Sequence, residues 1–209
     1  MSFRIEQKLT VSARQLHEIY RWLASLDAQR LFPPRVVIST YFDNLRCQMF
    51  HDSEEGSLPR KKIRVRCYND CDHTDPRRHK LETKINAVEG RYKTIDDISE
   101  LQRVLRLGLV DSTYGVCQPL LTVRYVREYF STNGVRLTVD RDLAYHAGSA
   151  GRPRGATVDD SGIAVEIKAS HSASIDELVN LFPVPRIRFS KYSRAALALS
   201  DAGLIDLRY

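Results

Sequence analysis

Short segments in which apolar and polar residues alternate dominate the chain, and helical spacing is rarer. A two-residue period is typical of β-strands that bury one face. Eight segments show it: Ser2–Leu9, Arg35–Phe42, Lys61–Tyr68, His79–Ile85, Leu120–Ser131, Val135–Leu143, Ile163–Ala169 and Arg186–Ser190. Asn133-Gly134 predicts a tight hairpin turn, because both residues tolerate positive φ. The pattern predicts a mostly antiparallel sheet.

Four segments have helical spacing, so the chain is expected to be an α+β protein with helices between strands. Ser12 is a candidate N-cap for a helix through Leu26, and Ser174 for a second helix. The other helices are expected at Ile98–Leu107, Ile175–Leu181 and Tyr192–Leu199. Polar and turn-rich stretches predict loops at His51–Arg60, Asn69–Arg78 and Gly148–Gly162, of which the glycine-rich last is expected to be mobile. With no linker or repeat, residues 1–209 are expected to form one domain.

The unusual feature is the second face of the predicted strands, which carries ordered charges. Arg64 and Arg66 share one face, for example, and Ile63 and Val65 the other. The other rows are Glu6 with Lys8; Lys80, Glu82 and Lys84; Tyr125 with Arg127; Arg136, Thr138 and Asp140; Glu166 with Lys168; and Arg188 with Ser190.

Two interpretations of these rows stay open. They could be the solvated face of an open sheet, where each charged pair contributes only about 0.2–1 kcal/mol. Alternatively, a closed sheet would gather the cations around one lumen, and a polyanion would offset their repulsion. Arginine, frequent in the rows, suits bidentate contact with phosphate. Glu6, Glu82 and Glu166 would supply hard oxygen ligands for Mg²⁺ or Mn²⁺, a combination that suits phosphoryl transfer.

Composition agrees with an anionic partner. The net charge of +6 over 209 residues points to one, without naming it. No apolar stretch approaches the ~20 residues of a membrane span, and no signal peptide is evident, so we expect a cytoplasmic protein with reduced thiols. Neither a helix-turn-helix nor an aromatic-studded basic strand supports specific nucleic-acid binding.

Nine segments, in order along nearly the whole chain, resemble the catalytic tunnel domain of the vacuolar transporter chaperone (VTC) polyphosphate polymerases, within the triphosphate tunnel metalloenzyme superfamily. They are Glu6–Lys8, Ser39–Asn44, Lys62–Arg66, Leu81–Lys84, Glu89–Lys93, Tyr125–Arg127, Arg136–Asp140, Val165–Lys168 and Arg188–Tyr192. The resemblance implies an eight-stranded antiparallel β-tunnel, a closed barrel with helices packed outside.

The same resemblance implies roles for individual residues. ATP would be the phosphoryl donor, with Mn²⁺ or Mg²⁺ held by Glu166. Cationic side chains would hold the triphosphate and the growing chain: Lys8, Arg64, Arg66, Lys84, Arg127, Arg136, Arg188 and Lys191. Tyr125 and Ser190 would donate hydrogen bonds to phosphate, and Lys93 matches a lysine near the tunnel wall.

The sequence departs from the superfamily in one informative place. Arg4 stands where the triphosphatase branch has the first of two glutamates, which favours the polymerase-like branch. The eukaryotic relatives also carry an inositol-phosphate sensing domain and membrane helices; here a separately encoded membrane protein is a conceivable partner. The leading hypothesis is an ATP-dependent polyphosphate polymerase acting on ATP and polyphosphate or pyrophosphate. The alternatives are a tri- or polyphosphatase on the same scaffold, and a module that binds polyphosphate without turnover.

Overall fold

The structure, a computed structural model, describes residues 5–69, 74–150, 152–169, 182–183 and 189–208. For residues 5–9, 13, 152, 153 and 169 it describes the backbone only. Ten strands are present in these ranges: β1 (Ile5–Val11), β2 (Gln29–Asp43), β3 (Arg60–Tyr68), β4 (Lys80–Ala87), β5 (Gly90–Asp97), β6 (Leu109–Asp111), β7 (Gly115–Thr132), β8 (Val135–Ser149), β9 (Arg152–Asp160) and β10 (Ile163–Ala169). The described helices are α1 (Leu16–Ser25), α2 (Gln48–Glu55), α3 (Leu101–Leu107) and α4 (Lys191–Asp201). The expected α+β class is confirmed.

The strands hydrogen-bond in the order β1-β10-β8-β7-β2-β3-β4-β5, with β6 beside β7 and β9 beside β8. Each pair whose register is given is antiparallel. Asn133 and Gly134, both with positive φ, connect β7 to β8 as predicted. The order begins at β1 and ends at β5, so closure of the sheet into a tunnel stays a prediction.

The chain forms two compact units. Strands β2, β7 and β8 each contribute residues to both of them. Unit 1 comprises residues 1–35, 125–143 and 160–189, and unit 2 comprises residues 36–124, 144–159 and 190–209. Each unit has an apolar core of its own. The prediction that residues 1–209 form a single domain stays a prediction.

Helix α1 covers the core of unit 1. Ile19, Trp22 and Leu23 are buried there, and Trp22 makes an edge contact with Phe182. Trp22 is therefore a core residue. A polar contact adds to this packing, because the hydroxyl of Tyr20 donates to Glu128 Oε1 at 2.7 Å. The helix begins three residues later than predicted, after a 3-10 turn at Ala13–Gln15.

Helix α2 occupies part of a segment that was expected to be a loop, and that prediction is wrong. The carboxylate of Asp43 accepts hydrogen bonds from the backbone N–H groups of Met49 at 3.0 Å and Phe50 at 2.9 Å. Asp43 therefore caps the N-terminus of α2 from outside the helix. Capping residues usually lie directly before the first turn. Tyr192 of α4 donates a 2.5 Å hydrogen bond to the same carboxylate. Asp43 thereby connects α2 to α4.

The segment Gly148–Gly162 is also not a loop, since β9 runs through most of it and pairs with β8. Gly155 lies in this strand with φ of +72°, where a side chain would meet the Leu204 side chain at 2.5 Å. Proline and glycine normally argue against a strand interior. Here glycine is needed for the backbone conformation and the close approach of Leu204.

Other differences concern short or exposed elements. The strands β5 and β6 were not predicted; β5 is exposed along nearly its whole length and so lacks apolar alternation. Helix α3 is three residues shorter than predicted, and α4 is longer at both ends. The predicted helix Ile175–Leu181 and its Ser174 cap lie outside the described residues, as does most of the predicted strand Arg186–Ser190. Phe189 and Ser190 are described, and neither is in a strand.

Cys47 and Cys117 are free thiols, whereas Cys67 is disulfide-bonded, so the prediction of reduced thiols is wrong for Cys67. In the described ranges, no helix has the length and apolar character that crossing a membrane requires.

Replacement of Tyr192 by phenylalanine tests the connection between α2 and α4. The change removes one donor from the buried Asp43 carboxylate, and we expect the free energy of unfolding to fall by about 2 kcal/mol. Urea denaturation measures this value. Tyr92→Phe on exposed β5 is the matched control and should change stability by less than about 0.5 kcal/mol. Equal stability of the two variants would contradict the assigned role of Asp43.

Candidate functional site

The first group of charged side chains lies in unit 2, where β3 turns one face toward the core and carries arginines on the other. We call it the Arg64 cluster, and it consists of Tyr41, Arg64, Arg66, Glu82 and Lys93. Strands β2, β3 and β4 align Tyr41, Arg64 and Glu82 directly opposite one another. Both arginines are only 8% exposed, and Glu82 is 5% exposed.

Glu82 binds three cations in this cluster. Arg64 donates to Glu82 Oε2 from Nε at 2.7 Å and also from a terminal nitrogen. Lys93 donates to the other oxygen at 2.7 Å, and a terminal nitrogen of Arg66 lies 3.6 Å from Oε2. Burial alone would raise the pKa of Glu82, but Arg64, Arg66 and Lys93 outweigh it and lower the pKa to about 2. Glu82 is therefore a carboxylate anion at neutral pH.

Tyr41 and Ser39 complete the positioning of the two arginines. Arg64 donates to the Tyr41 hydroxyl at 3.0 Å, and Arg66 Nε donates to Ser39 Oγ at 3.3 Å. Burial would raise the pKa of Tyr41, yet the neighbouring positive charges of Arg64 and Arg66 lower it. Such a shift reports a strongly positive potential beside the ring.

Three lysines extend the positive face along the next row of the ladder. Lys62 lies opposite Lys84, and Lys84 lies opposite Lys93. Like charges directly opposite on neighbouring strands are destabilising, so this row stands out in a native sheet. Counted with Arg64 and Arg66, five cationic side chains lie around the carboxylate of Glu82 in this part of the sheet. An arrangement of this kind suits an anion that carries several charges.

Ser190 and Lys191 lie at the start of α4 in the same unit. Ser190 is the N-cap, and its hydroxyl accepts from the backbone N–H of Ser193 at 3.4 Å. Lys62 donates to the same hydroxyl at 2.9 Å, and its ammonium group lies 5.7 Å from the centre of the Tyr192 ring. The predicted phosphate-binding Ser190 thus has a structural role in capping α4 and contacts one of the row lysines.

The second group lies in unit 1 on β7, β8 and β10. We call it the Arg127 cluster, and it consists of Tyr125, Arg127, Thr138, Asp140, Glu166 and Lys168. Arg127 binds Asp140 with two parallel hydrogen bonds of 2.6 and 2.7 Å. Burial would lower the pKa of Arg127, but the negative charges beside it raise that pKa well above its usual value.

Glu166 is the carboxylate of this cluster that β10 contributes. Lys168 lies 2.6 Å from Glu166 Oε1, and Arg127 lies 3.7 Å from Oε2. Thr138 is directly opposite Glu166 in the β8–β10 ladder and is only 4% exposed. Its hydroxyl has no hydrogen-bond partner among the described residues. Buried hydroxyls normally have partners, so this one indicates a place for a bound water or ligand atom.

The sequence did not single out every member of these clusters. Tyr41 and Thr138 were not among the predicted site residues, although the two-residue period places both on charged faces. Lys62, two residues before Arg64, has the same signal. Asp140 has both carboxylate oxygens bound by Arg127.

The other predicted residues are placed less completely. The backbones of Glu6 and Lys8 lie opposite Lys168 and Glu166 respectively, and nothing further is described for these two residues. Arg136 is exposed and lies opposite Lys168. Arg188 is outside the described residues.

A divalent metal ion would need side-chain ligands that converge on one point. Within the described ranges, no group of three or more His, Cys, Asp or Glu side chains converges. Mg²⁺, however, is commonly bound by one or two carboxylates, with substrate phosphates and water completing the shell. Glu166 lies opposite the buried Thr138 hydroxyl and would have to exchange part of its contact with Lys168 for a metal ion, whereas Glu82 is bound by three cations.

The fold and the charged faces define a class of protein: an α+β protein whose antiparallel sheet carries rows of basic residues. The chain belongs to the VTC domain family, whose sequence profile matches residues 3–102 and 109–200. The family resemblance seen in the sequence is thereby confirmed. No curated protein matches the chain.

Solved structures resemble the fold at low sequence identity. A Vibrio parahaemolyticus protein named as an unproven adenylate cyclase is 11% identical, with a TM-score of 0.56; the match covers 93% of this chain and 98% of that one. A conserved hypothetical protein from Pyrococcus furiosus is 17% identical, with a TM-score of 0.47 and coverage of 86% and 85%. A protein from Pyrococcus horikoshii is 16% identical, with a TM-score of 0.48 and coverage of 86% of both chains.

Replacement of Glu82 by glutamine tests its role in the Arg64 cluster. Loss of one partner from a buried ion pair leaves uncompensated charge, so we expect the free energy of unfolding at pH 7 to fall by about 3 kcal/mol. The lowered pKa adds a pH signature. Stability from Glu82 is complete above its unfolded pKa near 4.5 and is lost as the pH falls toward 2.

Urea denaturation of both proteins between pH 7 and pH 2 measures this effect. The Glu82→Gln protein should lose less stability than the unmodified protein over the acidic part of this range. Glu100→Gln, which removes an exposed partner of Arg103, is the control and should change little. Parallel pH profiles for all three proteins would contradict the assignment.

Proposed function

We propose that this protein transfers the γ-phosphate of ATP to the end of a polyphosphate chain. The proposal includes closure of the sheet into an eight-stranded, cation-lined tunnel. The observation that carries it is the Arg64 cluster with its lysine row, in which five cations share the sheet with one carboxylate. Membership of the VTC domain family supports the same class of substrate.

The geometry of the two arginines suits phosphate binding. Glu82 and Tyr41 hold the Arg64 guanidinium in one orientation, and Ser39 does the same for Arg66. A side chain that is already ordered loses less entropy when it binds a ligand. Guanidinium groups also match the oxygens of a phosphate in pairs. These residues would therefore bind and orient the phosphate chain.

The reaction needs little covalent chemistry from the protein. A terminal oxygen of the acceptor phosphate attacks the γ-phosphorus in line, the bond from that phosphorus to the β–γ bridging oxygen breaks, and ADP leaves. Arg64, Arg66 and the lysine row would neutralise charge on the transferred group. A Mn²⁺ or Mg²⁺ ion bound at Glu166 would supply further charge neutralisation and orient the triphosphate. No covalent enzyme intermediate is required.

The reaction is tested by incubating the protein with ATP and Mn²⁺ and measuring three products. ADP together with long chains on a gel is the expected result. Free phosphate without chains would instead identify a tri- or polyphosphatase. Binding of polyphosphate with neither product would identify a module without turnover, and both outcomes would overturn the polymerase proposal.

Replacement of Arg66 by alanine tests the phosphate site itself. Arg66 makes longer contacts than Arg64, and its removal relieves repulsion among the cations, so the fold should survive. The dissociation constant for tripolyphosphate should rise about tenfold, because a charged hydrogen bond contributes about 1.5–3 kcal/mol. Calorimetric titration measures the affinity, and thermal unfolding monitors the fold.

Arg103→Ala is the matched control, since it removes an exposed arginine of α3 in the same unit. The affinity of this variant should equal that of the unmodified protein. If Arg66→Ala unfolds the protein, or binds tripolyphosphate as tightly as the control does, Arg66 does not line a phosphate site.

A further inference from the structure

A group of two aromatic rings and one arginine lies in unit 1, outside both charged clusters. We call it the Phe32 cluster, and it consists of Phe32, Arg35 and Tyr129. The rings of Phe32 and Tyr129 meet edge to face, with centroids 5.6 Å apart. The Arg35 guanidinium carbon lies 4.7 Å from the centre of the Phe32 ring and 5.7 Å from that of Tyr129.

Core packing does not account for this group. Phe32 is 46% exposed and is not a member of the apolar core of unit 1. A single exposed phenyl ring is ordinary at a protein surface, but here a second ring and a guanidinium group are held against it. Arginine packed against both rings holds them in place and adds a positive charge beside their faces. An ordered, accessible aromatic surface next to a cation is what proteins use to stack nucleobases.

The position of Tyr129 on β7 relates this surface to the Arg127 cluster. Residues 125, 127 and 129 alternate with 128 and 130, and the two sets belong to opposite faces of the strand. Glu128 and Phe130 belong to the α1 side, where Tyr20 binds Glu128 and Phe130 joins the core. Tyr129 therefore follows Arg127 on the same face, about 7 Å further along the strand.

We infer that Phe32, Arg35 and Tyr129 form a subsite that stacks the nucleobase of the phosphoryl donor. This inference rests on the proposed function, because it adds a base-binding surface to a site that binds a nucleoside triphosphate. The phosphates would lie toward Arg127 and the base against Phe32. Stacking accepts every base through its π-face, so adenine and guanine nucleotides should both bind.

Two ligands separate base binding from phosphate binding. A non-hydrolysable ATP analogue carries both groups, and tripolyphosphate carries only the phosphates. Calorimetric titration of each ligand in the presence of Mg²⁺ gives two dissociation constants for each protein. For Phe32→Ala we expect the constant for the ATP analogue to rise about tenfold and the constant for tripolyphosphate to stay the same. Phe32→Trp should restore binding of the analogue.

Tyr92→Ala is the matched control, because Tyr92 is an aromatic residue of similar exposure on β5. It should bind both ligands as the unmodified protein does. An unchanged affinity of Phe32→Ala for the ATP analogue would overturn the base subsite and leave the proposed function standing. An equal loss for both ligands would also overturn it, because Phe32 would then act on phosphate binding or on the fold. If the unmodified protein binds neither ligand, both proposals fail.

Discussion

The three ion pairs of Glu82 are the interaction on which the basic face of unit 2 depends. Two buried arginines and a lysine lie near one another on adjacent strands, where their mutual repulsion would favour a more open arrangement. One buried carboxylate offsets part of that repulsion and fixes the direction of Arg64. Because the pKa of Glu82 is lowered to about 2, its carboxylate stays ionised and its ion pairs persist over the whole physiological pH range. The face is thus kept positive and ordered at the same time.

The two clusters differ in their balance of charge. In the Arg64 cluster and its lysine row, cations outnumber carboxylates five to one. In the Arg127 cluster, Arg127 and Lys168 are matched by Asp140 and Glu166, and a buried hydroxyl lies beside them. The first composition favours binding of multiply charged anions, whereas the carboxylates of the second are already paired with cations.

Sequence periodicity predicted which side of a strand each charge would occupy, and most strands lie where it placed them. It did not predict which charges would meet, because register between strands depends on the turns and on packing. For example, Lys93 of the next strand binds Glu82. Strand β5 has no apolar alternation, and α2 depends on a carboxylate outside the helix. The local sequence therefore contains no pattern that predicts either of these two elements.

The bond between Asp43 and Tyr192 joins residues separated by 149 positions in the chain. Strands β3 to β6, all members of unit 2, are synthesised between them. The α2 cap is therefore incomplete until α4 has left the ribosome. A nascent chain of this protein can form local hairpins early, but unit 2 can reach its final packing only near the end of synthesis. Contacts of such long range are associated with slow folding, and the basic strands would be exposed to solvent during that interval.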